Sequence, residues 1–89
     1  CDVSAYYLMQ TLQARGYRIP EDISIVGFDN YILSEMTTPK LTTYAVDLDK
    51  MAMASIEQLQ QRLEQPSRPC EQRIISGHFI PRNSVRKIN

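Results

Sequence analysis

Glycine and histidine are both scarce in this sequence, and each shortage removes a class of chemistry. Three glycines, at positions 16, 27 and 77, cannot build a phosphate cradle, and neither G-x-x-x-x-G-K-S/T nor G-x-G-x-x-G spacing occurs. His78 is the only imidazole. It lies in a strand-like run, and Ser76 and Ser84 flank it without a pattern that makes a nucleophile–base pair. No G-x-S-x-G elbow is present. Cysteine is limited to Cys1 and Cys70 with no C-x-x-C, so neither a metal nor a cofactor is expected. Two free thiols fit a reducing, cytoplasmic setting. Ten basic side chains balance ten acidic ones, which leaves no broad basic stripe for nucleic acid. Arg82, Arg86 and Lys87 near the end read as a solvated tail. No apolar run approaches the roughly 18 residues of a membrane span. Catalysis has no support in these residues, and the chain is read as a non-enzyme.

What is present suits one domain at most, since 89 residues bury only a modest core. The chain begins at Cys1 instead of Met and already reads as helix, the expectation for a piece of a longer protein. Ala5, Leu8, Met9 and Leu12 in "DVSAYYLMQTLQARG" fall on one helical face. Asp2 stands where an N-cap would, and Gly16 where a left-handed stop would. Ile23, Ile25 and Val26 then read as a strand covered on both faces, as in parallel sheets. "YILSEMTTPK" allows a short helix, and "LTTYAV" (41–46) reads as a strand. Asp47 is expected to cap the longest helix, 48–65, with Leu48, Ala52, Ile56, Leu59 and Leu63 as its apolar stripe. "QRIIS" (72–76) and His78–Ile80 come next as strands. The order points to an α/β layer fold.

The most informative stretch is "ISIVGFDN", Ile23 to Asn30. An apolar run ends in a carboxylate and an amide, at the kind of strand end where α/β sheets collect ligands. Two readings compete. Asp29 and Asn30 either present polar groups to a ligand, or merely cap the next helix or form an Asx-turn.

With "IPEDISIVGFDN", Arg15-Gly16, "PKLTT" (39–43) and Arg82-Asn83-Ser84 in view, the chain resembles the LacI/GalR family of transcription regulators. The resemblance covers nearly all of the chain and matches the C-terminal part of the family's effector-binding core. It implies a periplasmic-binding-protein-like α/β fold with mostly parallel sheets, in two subdomains. Residues of roughly 1–40 and 79–89 would lie in one subdomain and roughly 44–76 in the other.

The same resemblance implies the site. Asp29 would accept hydrogen bonds from a small effector, commonly a sugar, with Asn30 beside it. Cys1 would stand where sugar-binding members often carry Asn, which removes an amide. Thr42, Thr43 and Gly77 would flex as the cleft closes. Tyr6, Tyr7, Gln10, Leu33 and Met36 would meet a second copy in a homodimer. Operator DNA would be bound only by an N-terminal helix-turn-helix outside these residues. Two other readings stay open at this point. One is a periplasmic sugar-binding transport protein of the same fold. The other is a small α/β enzyme whose nucleophile lies outside these residues.

Overall fold

The computed structural model describes residues 1–88, in the order α1 (Asp2–Ala14), a 3-10 turn (Ile32–Glu35), β1 (Thr43–Ala45), α2 (Leu48–Glu64) and β2 (His78–Ile80). The chain divides into two compact units. One comprises Cys1–Ala45 and the chain from His78 onward, and the other is Val46–Gly77.

In the first unit, α1 ends as its sequence predicts. Gly16 takes φ 89; its N–H bonds the Gln13 carbonyl and the Tyr17 N–H bonds that of Leu12. This is a Schellman stop, which glycine permits because it has no Cβ to clash. The start differs from expectation. Cys1 occupies the cap position, and Asp2 is already helical and makes no cap bond. The buried Asp2 carboxylate turns instead to groups far along the chain.

Ala5 and Met9 of α1 pack with Ile19, Ile25 and Leu41, and Leu12 lies at the rim. Leu8, on the expected apolar face, is 49% exposed. The core therefore meets only the row through positions 5, 9 and 12.

The expected strand at 23–26 is reduced. Val26 forms one parallel bridge with Thr42, while the Gly27 and Asp29 N–H groups donate to the Thr42 and Tyr44 carbonyls at 2.8 and 2.9 Å. Of Ile23, Ile25 and Val26, only Ile25 is buried. α1 covers one face; on the other, Phe28 stacks on Tyr44 with centroids 5.4 Å apart, and Phe28 stays half exposed. The sheet among the described residues is two-stranded and antiparallel, pairing Thr43 with Ile80, Tyr44 with Phe79 and Ala45 with His78. The mostly parallel sheet expected from the resemblance is thus not formed by these residues. The one parallel pairing among the described residues is the Val26–Thr42 bridge.

In the second unit Asp47 caps α2 as expected, accepting from the Lys50 N–H at 3.0 Å. The apolar stripe of α2 is not a core. No residue of the helix is buried, and Leu48 and Leu63 are each 72% exposed. "QRIIS" forms no strand, and Ile74 is exposed. β-Branched residues favour a pleated, half-buried surface but cannot make a strand without a partner ladder. Polar contacts hold the returning segment. Arg73 donates to Glu57 at 2.6 Å and to Glu71 at 3.2 Å, and Arg62 donates to the Pro66 and Arg68 carbonyls. The Cys1 and Cys70 thiols are free and exposed.

Candidate ligand corner at Gly27 to Tyr31

Where the chain leaves its parallel step beside β1, it turns through two left-handed residues that are not glycine. Asp29 has φ 114 and Asn30 φ 54. Asp and Asn tolerate this region better than most side chains, yet each such residue costs about 1–3 kcal/mol and persists only where its surroundings impose it. Three successive amides show how it is imposed. The Asp29 N–H donates to the Tyr44 carbonyl, the Asn30 N–H to Thr43 Oγ1 at 3.3 Å, and the Tyr31 N–H to Asp2 Oδ2 at 2.7 Å. Thr43 in turn donates its hydroxyl to Asp2 Oδ1 at 2.7 Å. Asp2, only 1% exposed, thus satisfies its two oxygens internally, as a buried charge must.

Gly27 makes room for this carboxylate. A Cβ at position 27 would collide with Asp2 Oδ1 and approach Leu41 Cδ2 to 2.8 Å. The Asp2 N–H also bonds the Phe28 carbonyl at 3.0 Å, so the start of α1, with exposed Cys1, abuts the corner.

The Asp29 carboxylate itself is exposed and makes no hydrogen bond or ion pair among the described residues. Nor does it cap the 3-10 turn, which has Tyr31 at its cap position and no side-chain cap bond. The capping alternative therefore does not describe this side chain. An ionised carboxylate offers two acceptor oxygens, held here on a turn whose N–H groups at 29, 30 and 31 are all bonded.

Residues 1–85 match the family described as the periplasmic binding protein-like domain. The chain belongs to that family. The likeness to LacI/GalR regulators read from its sequence holds as well. The repressor ExuR of Bacillus subtilis (strain 168) is 31% identical over 87 residues, covering 98% of this chain and 26% of its own length. A LacI family regulator from Enterococcus faecium, solved with bound ribose, has a TM-score of 0.74 at 33% identity, covering 92% of this chain and 31% of its own. An Arthrobacter regulator in complex with lactose has a TM-score of 0.76 at 29% identity, covering 92% and 32%. The chain thus spans about a quarter of the curated relative and about a third of the solved ones.

Within this periplasmic-binding-protein-like domain the remaining expected residues fall in separate places. Thr42 and Thr43 are 2% and 0% exposed. Thr42 accepts from the Arg82 N–H and donates its own N–H to Ser84 Oγ. Both threonines lie inside the first unit, and the boundaries between units fall at Ala45–Val46 and at Gly77–His78, the second of which contains Gly77. Tyr6 packs edge-on to exposed Tyr7 at 5.3 Å, Gln10 and Met36 are exposed, and Leu33 is half-buried. α1 contacts the 3-10 turn that carries Leu33. No described helix is long and apolar enough to cross a membrane, and no metal-binding cluster occurs among the described residues.

Two residues of the domain escaped sequence reasoning. Arg82, assigned to a solvated tail, has a side chain only 12% exposed. Ser84 is fully buried, donating to the Ile25 carbonyl at 2.6 Å and accepting from the Thr42 N–H at 2.8 Å. Their signal was the closing Arg-x-Ser, too short a pattern to reveal which groups it would meet.

Proposed function

We propose that this chain is the C-terminal portion of the effector-binding core of a LacI/GalR-type repressor, and that Asp29 and Asn30 bind a small polyhydroxylated effector. The observation that supports this most is the Asp29 carboxylate, exposed and unbonded on a strained corner whose three successive N–H groups, at 29, 30 and 31, are all bonded. Neighbouring sugar hydroxyls are natural donors to such an oxygen pair, through charge-assisted bonds. Two LacI family relatives solved with ribose and with lactose favour a sugar.

In this reading the effector prefers one arrangement of the core, and its differential affinity shifts operator binding by a helix-turn-helix elsewhere in the parent protein. The neutral charge of this segment fits that division of labour. The protein is cytoplasmic and dimeric, with Tyr6, Tyr7, Gln10 and Met36, and Leu33 at the edge, facing the second copy; Tyr and Met are enriched at such surfaces. Flexing occurs at the passages beside Ala45 and Gly77.

Calorimetry of the parent protein with ribose and with lactose tests the site. Binding of one of them, lost in Asp29→Ala while operator DNA is still bound, supports the reading. Binding of neither sugar, or undiminished binding by Asp29→Ala, overturns it.

A further inference from the structure

We propose that Arg82 is a specificity-determining positioning residue, which holds the Asn30 amide so that its NH2 group stands as a fixed donor beside the Asp29 carboxylate. This rests on the reading of Asp29 and Asn30 as the ligand corner. Arg82 reaches that corner from the far end of the chain. Nη1 donates to Ser34 Oγ at 2.8 Å and to the Leu41 carbonyl at 2.9 Å. Ser34 and Leu41 are both fully buried, and Ser34 is itself tied to the Tyr31 carbonyl. One edge of the guanidinium is therefore anchored in the unit's interior. The other edge faces outward, where Nη2 donates to Asn30 Oδ1 at 2.8 Å and meets Glu35 at 3.5 Å.

The chemistry of the pair decides which way the amide points. A side-chain amide carries an acceptor oxygen and a donor nitrogen, and a guanidinium has donors only. Asn30 must therefore turn its oxygen to Arg82, which leaves Nδ2 directed away. Nδ2 has no partner among the described residues, and Asn30 is exposed. Its backbone is pinned as well, through Thr43. The corner then offers a carboxylate that only accepts and an amide nitrogen that only donates. A hydroxyl both donates and accepts, so a pair of neighbouring hydroxyls can satisfy both groups. A carboxylate at position 30 would pair with Arg82 equally well but could present only acceptors to a ligand.

Calorimetry of the parent protein with whichever of ribose or lactose it binds tests this, alongside thermal unfolding. Asn30→Asp keeps a partner for Arg82 and removes the donor. Its affinity should fall about tenfold, the scale of one lost hydrogen bond, with the melting temperature unchanged or raised. Arg82→Gln should weaken binding about tenfold in the native background yet cause no further loss in Asn30→Ala, because the arginine acts through the amide. A purely structural arginine would weaken both backgrounds alike. Additive losses, or native affinity in Asn30→Asp, overturn the proposal while the corner itself stands. Native affinity in Asp29→Ala, or no binding of either sugar, overturns the corner and this inference with it. Should Arg82→Gln fail to fold, Asn30→Asp alone decides.

Discussion

In the unit built on α1, Met9 and Leu41 are 2% and 0% exposed, and the buried Asp2 carboxylate accepts from the Tyr31 N–H and the Thr43 hydroxyl. In the unit built on α2, no helical residue is buried, and the apolar stripe faces outward while arginines tie the returning chain to the helix. Both helices carry apolar residues at helical spacing. The difference shows that such a stripe reports a face in need of cover, whereas the cover comes from other elements. α1 finds Ile19, Ile25 and Leu41 within these residues, and α2 finds no equivalent.

The comparison can be broken with two pairs of substitutions, the larger effect first in each. Asp2→Ala strands the Thr43 hydroxyl and the Tyr31 N–H, and should cost about 3 kcal/mol in denaturant unfolding of the parent protein. Glu57→Ala removes an exposed arginine partner and should cost under about 1 kcal/mol. Equal losses would mean that the two units are held by similar forces. Met9→Ala should cost about 2–5 kcal/mol through the cavity it leaves. In the 89-residue chain, Ile56→Ala should change stability by no more than about 0.5 kcal/mol, as surface substitutions do. A larger loss would place the α2 stripe in a core.

Asp29→Gly sharpens the comparison in the opposite direction. Glycine adopts φ 114 without strain, so stability should rise by about 1 kcal/mol while sugar binding disappears. A loss of stability would show that the carboxylate serves the fold. The smallest effect concerns Asp22. Arg18 donates to it through side chain and backbone, which holds its pKa below the usual carboxylate value. A carboxyl lowered on folding adds stability above its unfolded pKa and loses it as pH falls through the lower folded one. Asp22→Asn should therefore lower stability slightly at neutral pH, leave it unchanged in strong acid, and so flatten the acid limb of the profile below about pH 4.

Much of the architecture was legible because its signals are local. Gly16 ends α1 and Asp47 starts α2 where the residue types demand. Asp29 was legible as an oddity, a carboxylate where an apolar run stops. Asp2, Thr43, Arg82 and Ser84 were not, since their side-chain partners lie between 13 and 59 positions away. "QRIIS" misled for the opposite reason. Its β-branched content is a local preference that only a neighbouring strand can satisfy.

By itself the amino-acid order determined where α1 ends and where α2 begins, which side chains are apolar, and that a carboxylate and an amide come directly after Phe28. Those outcomes depend on groups a few positions apart, within reach of a single turn of chain. Only the tertiary structure decided that Asp2 and Arg82 converge on that corner and that the α2 stripe stays exposed. Long-range hydrogen bonds and burial depend on which distant segments meet, and no local spacing encodes that.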